Sequence, residues 1–251
     1  MYKSEDWIDI EKIYHEYLER KREVNKVKYE DFKGWFNASS AGSCYRKMIY
    51  RARDYEVDPI EHRTNRLLRL GTIVHSDIEK SIKAWLGSPK YELVTEYQIQ
   101  LPQFLVVGHL DIGVIDKKND RIKVYDIKTC GSWKWRMKFG RKRDTNPSVN
   151  YELQIGTYGI GLGKDSGTTD VSLSILWYNK DTSAIREEPI ADEWMEEAYE
   201  YWTELREVSD NTKHPEELIP GSPNVPLWNW ECKYCEYKDK YCPGVSMPTK
   251  R

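Results

Sequence analysis

Leu105-Val106-Val107-Gly108-His109-Leu110-Asp111-Ile112-Gly113-Val114-Ile115, then Lys117-Lys118-Asn119-Asp120, then Ile122-Lys123-Val124-Tyr125-Asp126-Ile127-Lys128, is the stretch that decides the fold. The two apolar runs read as strands and the polar residues between them as a turn, so the segment predicts a β-hairpin. Asp111 lies inside the first strand and Asp126 inside the second. Side chains two apart on a strand share a face, so Asp126 and Lys128 point the same way. Hairpin pairing brings Asp111 close to that pair.

Two carboxylates in a half-buried sheet are costly unless something compensates them. A divalent cation is the natural compensation: Mg²⁺ takes hard oxygen ligands, and two carboxylates with a backbone carbonyl would suffice. Such an ion polarises a phosphodiester oxygen and makes a bound water more acidic. Lys128 is then placed to orient that water and to stabilise developing charge. The plainer reading makes Asp111 a strand-end residue and Asp126–Lys128 a surface ion pair, and an isolated Asp-x-Lys is a common chance pattern.

Working outward, Ile8 to Val27 reads as a charged amphipathic helix and Gly34 to Ser43 as a loop of small residues. Ser43 can cap a second helix from about Cys44 to Arg53. A third helix spans about Asn65 to Leu86, with Leu67, Leu70, Val74, Ile78 and Ile82 near helical spacing, and Gly87-Ser88-Pro89 stops it. Leu93 to Gln100 alternates as a strand. A basic loop follows Lys128, then a helix from Tyr151 to Leu162 and a strand from Val171 to Asn179. An acidic helix runs from Asp192 to Val208, with Asp192 as its expected cap. His214 to Pro226 carries four prolines and reads as an extended connection. The order gives an α/β or α+β domain.

Further residues sharpen the reading. His75 lies four residues after Gly71 and four before Glu79, and Gln154 lies four before Tyr158. Residues four apart on a helix share a face. The full order is Gly71-x-x-x-His75, Gly108-His109-Leu110-Asp111, Asp126-x-Lys128 and Gln154-x-x-x-Tyr158. This series closely resembles the RecB-like branch of the PD-(D/E)xK nucleases over roughly Ser39 to Cys242. The resemblance implies a restriction-endonuclease-like core, with a central mixed sheet flanked by helices. It implies metal ligation by His75, Asp111, Asp126 and the carbonyl of Ile127, with Lys128 as the catalytic lysine. Gln154 and Tyr158 become active-site residues near the DNA backbone, and Glu79 an assisting carboxylate acting through metal-bound water.

Of five cysteines, Cys232, Cys235 and Cys242 fall within eleven residues of one another, while Cys44 and Cys130 stand apart. An odd number of cysteines without a signal peptide argues against a disulfide framework. Clustered thiolates select zinc or an iron–sulfur cluster and need a fourth ligand. Cys44 is the best candidate, and Cys130, beside the nuclease motifs, reads as a free thiol. Taken singly, Cys44 reads as a buried apolar cysteine and the triplet as a zinc knuckle. One early cysteine and a late triplet, however, resemble the iron–sulfur subset of the same family, such as the CRISPR-associated RecB-like exonucleases and AddB. That resemblance implies a [4Fe–4S] cluster, with structural Zn²⁺ as the alternative. The cluster would join the N-terminal helices to the C-terminal segment. The chain is then expected to form one nuclease domain, divided into an N-terminal helical region (1–64), the core (65–210) and a cluster-binding segment (211–251).

The net charge of −2 does not announce nucleic-acid binding, but the distribution of charge says more. From Trp133 to Arg143 there are six basic residues, three aromatics and no acid. Basic groups bind phosphates and aromatics stack on unpaired bases. Trp133, Lys134, Trp135, Arg136, Lys138, Arg141, Lys142 and Arg143 are therefore candidate DNA contacts, against a solvated loop whose tryptophans pack on the core. Arg63, Arg66 and Arg69 extend the track. The expected activity is Mg²⁺- or Mn²⁺-dependent exonuclease action on single-stranded DNA or DNA ends. A non-catalytic iron–sulfur scaffold and an endonuclease are the alternatives. Family members act in recombination, repair, replication or CRISPR spacer processing, so a helicase, recombination or integration partner is expected. The polar N-terminus lacks a secretory pattern and no run suits a bilayer, which predicts an intracellular, cytoplasmic protein of bacterial, archaeal or phage type.

Overall fold

A computed structural model describes residues 9–27, 30–86, 90–141, 149–219, 225 and 231–244. The first helix, α1, spans Ile10–Val27, followed by the two-residue strand β1 (Phe36–Asn37) and α2 (Tyr45–Ala52). Next come α3 (His62–Trp85), β2 (Tyr91–Leu101), β3 (Val106–Asp116), β4 (Arg121–Cys130) and α4 (Ser132–Phe139). The chain continues with α5 (Val149–Ser166), β5 (Val171–Asn179), β6 (Ile185–Ile190) and α6 (Trp194–Asn211). None of the described helices is long and apolar enough to cross a membrane.

The strands form one mixed sheet in the order β1-β3-β4-β5-β6, with β2 also on β3. The expected hairpin is present: β3 and β4 pair antiparallel, from Ile112↔Tyr125 to Asp116↔Arg121. β4 then runs parallel to β5, from Ile122↔Val171 to Cys130↔Asn179, with α4 and α5 in the crossover. The fold class is thus the expected α/β arrangement of a mixed sheet flanked by helices.

One detail of register positions the site. β3 meets β1 at Val106 and Val107 and meets β4 from Ile112 onward. Residues 108–111 fall between these two partners, and there β4 diverges from β3. Strands that part in this way leave a gap for side chains and ligands at the sheet's centre.

α5 is the most buried helix, with Leu153, Ile155, Tyr158 and Leu162 packed into the core. Its glycines permit that depth. A Cβ at Gly156 would lie 2.1 Å from the Trp194 carbonyl oxygen, so only glycine lets α6 approach so closely. Trp202 of α6 is fully buried and donates from Nε1 to Thr157 Oγ1 at 2.8 Å, which satisfies its one polar atom.

Several local expectations are corrected. The segment after Lys128 is not a loop but the helix α4, because Trp135 and Phe139, four apart, stack together and Phe139 packs on Trp177. Ser43 does not cap α2, whose N-cap is Cys44, and Asp192 does not cap α6, whose N-cap is Glu193. β6 was not foreseen: Ile185 to Ile190 is mostly polar, as suits an edge strand. The apolar row on α3 does not all face the core, since Leu67 is 49% and Leu70 43% exposed. Gly87-Ser88-Pro89 and much of the proline-rich connection lie outside the described residues.

Candidate active site

Four elements converge where β3 and β4 part. α3 brings His75 and Glu79, one helical turn apart. β3 brings Asp111, β4 brings Asp126, Ile127 and Lys128, and α5 brings Gln154 and Tyr158. His75 Nδ1 lies 3.4 Å from Asp111 Oδ1. The other oxygen, Asp111 Oδ2, accepts a hydrogen bond from the Ile127 N–H at 2.6 Å, bridging the gap between the strands.

Asp126 and Lys128 share a face, as the two-residue spacing requires, with Asp126 Oδ2 2.7 Å from Lys128 Nζ. This is no surface pair: the Asp126 side chain is 2% exposed. Lys128 also donates to Gln154 Oε1 at 2.8 Å. Gln154 Nε2 donates to Asp126 Oδ1 at 3.1 Å and to the Tyr158 hydroxyl at 2.9 Å. The amide thus holds both members of the pair in place. The ammonium also sits 4.9 Å from the centre of the Tyr151 ring.

Charge is crowded here. Burial pushes the Asp126 carboxyl up from its ordinary value, against the pull of Lys128. Glu79 rises to about 7, first through burial and then through the neighbouring Glu96 and Asp111 carboxylates. Burial alone would lower His75, but the Asp111 carboxylate outweighs it and the imidazole rises. Lys128 is likewise penalised by burial yet raised by Asp126 and Asp111, which keeps it charged.

Glu96 is a functional candidate that sequence reasoning missed. Oxygens of Glu79, Glu96 and Asp111 all lie within 4.8 Å of one another. Glu96 occupies the one β2 position with no β3 partner, between Thr95↔Ile112 and Tyr97↔Leu110, directly across from Asp111. Its backbone has φ +48°, a left-handed conformation that side-chain-bearing residues seldom adopt within a strand. Nothing in one sequence distinguishes Glu96 from an ordinary outward polar residue.

The donor set fits a hard divalent cation. Glu79 is 8% exposed and its Oε1 has no hydrogen-bond partner among the described residues. Asp126 Oδ2 is also buried without a well-directed donor, its contact with Lys128 being ionic. Buried carboxylate oxygens left this way call for a positive ligand.

At the N-terminus of α2, Cys44, Cys232, Cys235 and Cys242 line one small cavity together with Arg46, Lys47, Tyr50 and Glu231. Cys130 is not among the lining residues; it is buried at the end of β4. Four thiols around one cavity fit a thiolate-ligated metal group.

Of the proposed DNA contacts, Trp133 is 70% exposed, and Arg136 and Arg141 are also exposed. Lys134 donates to the Tyr151 hydroxyl at 2.7 Å, Lys138 pairs with Glu188 at 2.9 Å, and Trp135 stacks on Phe139. Lys142 and Arg143 lie outside the described residues.

A mixed sheet flanked by helices, whose central strands part around two carboxylates and a lysine, has the fold of a PD-(D/E)xK nuclease. The chain belongs to the PD-(D/E)XK nuclease superfamily, whose model matches residues 14–243. Among solved structures it is similar to SSO0001, with 20% identity and a TM-score of 0.57 over 93% of this chain and 98% of that one. At that identity the likeness is one of fold. It also matches LHK-Exo, an alkaline exonuclease from Laribacter hongkongensis, with 14% identity and a TM-score of 0.41 over 74% of this chain and 92% of that one. No curated protein matches it.

Proposed function

We propose that this nuclease is a Mg²⁺- or Mn²⁺-dependent DNA exonuclease acting on single strands or DNA ends, and that it carries a [4Fe–4S] cluster. The observation that carries the catalytic reading is the fork itself: Asp111 tied to Ile127 N–H, and Asp126 held beside Lys128 by Gln154.

His75, Asp111, Asp126 and the Ile127 carbonyl would hold the cation, with Glu79 and Glu96 as further carboxylates beside Asp111. Bound there, a divalent cation supplies Lewis acidity to the phosphodiester and a more acidic water. Lys128 provides a fixed positive charge for the phosphoryl oxygens and a donor that orients the attacking water. Gln154 keeps that ammonium from rotating away, because one amide grips Lys128, Asp126 and Tyr158 together. His75 presents its ring to Asp111 and limits the movement of that carboxylate.

DNA would pass along α4. Trp133, Arg136 and Arg141 offer an exposed aromatic and two exposed cations just beyond Lys128. Lys134 and Lys138, held by Tyr151 and Glu188, would position the helix as much as touch phosphate. Single strands suit a surface that offers stacking and charge without base-reading groups.

The cluster would occupy the cysteine cavity as a staple between α2 and the C-terminal segment. Supporting it, Cys44 and the late triplet line one cavity although about 190 positions separate them. The test of mode and substrate is digestion of single- and double-stranded DNA carrying an end label, in Mg²⁺ or Mn²⁺, with anaerobically purified protein. The reading expects early release of short labelled products at one end. Internal fragments formed before any terminal product would instead indicate an endonuclease.

A further inference from the structure

The cysteine cavity is lined by a buried cation that makes no ion pair among the described residues. Arg46, the second residue of α2, is 4% exposed. Its Nη1 donates to Cys242 Sγ at 3.4 Å and its Nη2 donates to the Leu218 carbonyl. Its Nε is buried with no acceptor among the described residues.

The two lysines around the cavity have carboxylate partners. Lys47 Nζ lies 3.0 Å from Glu236 Oε2, and Arg51 pairs with the other oxygen of the same carboxylate. Lys238 lies 3.8 Å from Asp239. Glu231 accepts a hydrogen bond from the Cys44 N–H at 3.1 Å. Arg46 forms no ion pair with a carboxylate among the described residues, and the guanidinium cannot shed its charge in a protein. A buried, unpaired cation is strongly destabilising. The polar atom facing its Nη1 is a thiol sulfur, that of Cys242. The missing partner is therefore an anionic group on the cysteine side of the cavity.

We propose that Arg46 is the buried counter-charge of the group held by Cys44, Cys232, Cys235 and Cys242, and that it sets that group's retention and reduction potential. This rests on the cluster reading above. A cubane held by four thiolates is net negative and gains one further negative charge when it accepts an electron. A fixed cation beside it stabilises the reduced form more than the oxidised form and so raises the potential. The Nη1 contact with Cys242 Sγ acts in the same direction, because a hydrogen bond to a ligating sulfur withdraws electron density. Arg46 is thus a positioning and tuning residue that acts through the cluster's ligands.

The test compares wild type with Arg46→Met, Arg46→Gln and Arg46→Lys, all prepared anaerobically. Iron and zinc are first measured in the wild type. The potential is then read by following the optical bleaching of the cluster during a dithionite titration. R46M and R46Q should have lower potentials than wild type and lose iron faster to a chelator, while R46K stays near wild type in potential.

A second reading separates this role from ordinary structural support. In the iron-free protein, R46M should melt higher than wild type, because an uncompensated charge has gone. In the cluster-loaded protein it should melt lower. If R46M fails to fold, R46Q carries the same comparison.

Equal potentials in all variants, or a lower melting temperature in both the loaded and the iron-free states, would overturn the proposal and leave Arg46 as a tie to Leu218. Zinc without iron in the wild type would overturn the cluster reading and the potential-setting role, but the stability reversal would still decide whether Arg46 is the counter-charge. Neither metal in the wild type sinks both readings at once.

Discussion

Lys128 is held by Asp126 and Gln154 and stays charged despite its burial. Removing its amine takes away a charge near the phosphoryl group while leaving the carboxylates in place. Lys128→Ala should keep the fold and DNA binding and reduce single-turnover cleavage by about 10²–10³-fold, the usual cost of losing one preorganised donor. Near-wild-type cleavage would remove Lys128 from the chemistry. Glu79 yields a separate expectation from its titration. Its carboxyl, raised from 4.5 to about 7, binds its proton more tightly folded than unfolded. It therefore favours the folded state below about pH 4.5, and that contribution is lost as pH rises through about 7. In EDTA, Glu79→Gln should melt higher than wild type at pH 8 and show little gain at pH 5, as read by thermal unfolding. A gain of equal size at both pH values would assign the effect to packing. Spacing made the shared faces of Asp126 with Lys128 and of Gln154 with Tyr158 legible, while His75 and Asp111 entered the candidate set through the order of motifs that resembles the family. Glu96 was not legible, because its prominence comes from a left-handed backbone and a missing ladder position.

At the level of elements, the hairpin of β3 and β4 was legible because apolar runs and a polar turn leave few alternatives. The helix α4 was not. Its sequence, Ser132 to Phe139, is basic and aromatic without a clear apolar face, and its helical state depends on Trp135 and Phe139 reaching the core. That arrangement divides the basic run into exposed and anchored members. Trp133→Ala with Arg136→Ala should weaken binding to single-stranded DNA in a fluorescence anisotropy titration, with the Arg136 change making the salt dependence shallower. Lys138→Ala should instead lower the melting temperature, because it leaves Glu188 and Glu152 without their shared cation. Unchanged DNA affinity in the double variant would mean that DNA does not run along α4. β6 escaped the sequence reading for a related reason: an edge strand with one poorly covered face has no strict apolar alternation.

Across the whole molecule, two candidate centres draw on neighbouring helices of the chain, α3 and α2. α3 supplies His75 and Glu79 to the sheet, while Cys44, the N-cap of α2, shares a cavity with Cys232. Closing a loop of about 190 residues is costly in entropy, so a metal group joining its ends would stabilise the fold. Cys44→Ser should lose much of the iron and melt at a lower temperature, while Cys130→Ser, away from the cavity, should keep both; iron analysis and thermal unfolding check this. The order of the cysteines was legible in the sequence. Their resemblance to the iron–sulfur subset implied that Cys44 meets the late triplet, and the four line one cavity; the unpaired Arg46 beside them depends on tertiary contacts that no local pattern encodes. The claim on which the rest depends is that the carboxylate fork is a cation-dependent nuclease centre. Its most direct test is the initial rate of cleavage of end-labelled single-stranded DNA against Mn²⁺ concentration, for wild type and Asp111→Asn. The account predicts a saturable Mn²⁺ dependence in the wild type, no cleavage in EDTA, and loss of cleavage in Asp111→Asn at every Mn²⁺ concentration. Cleavage that persists in EDTA, or an Asp111→Asn rate equal to wild type, would contradict it.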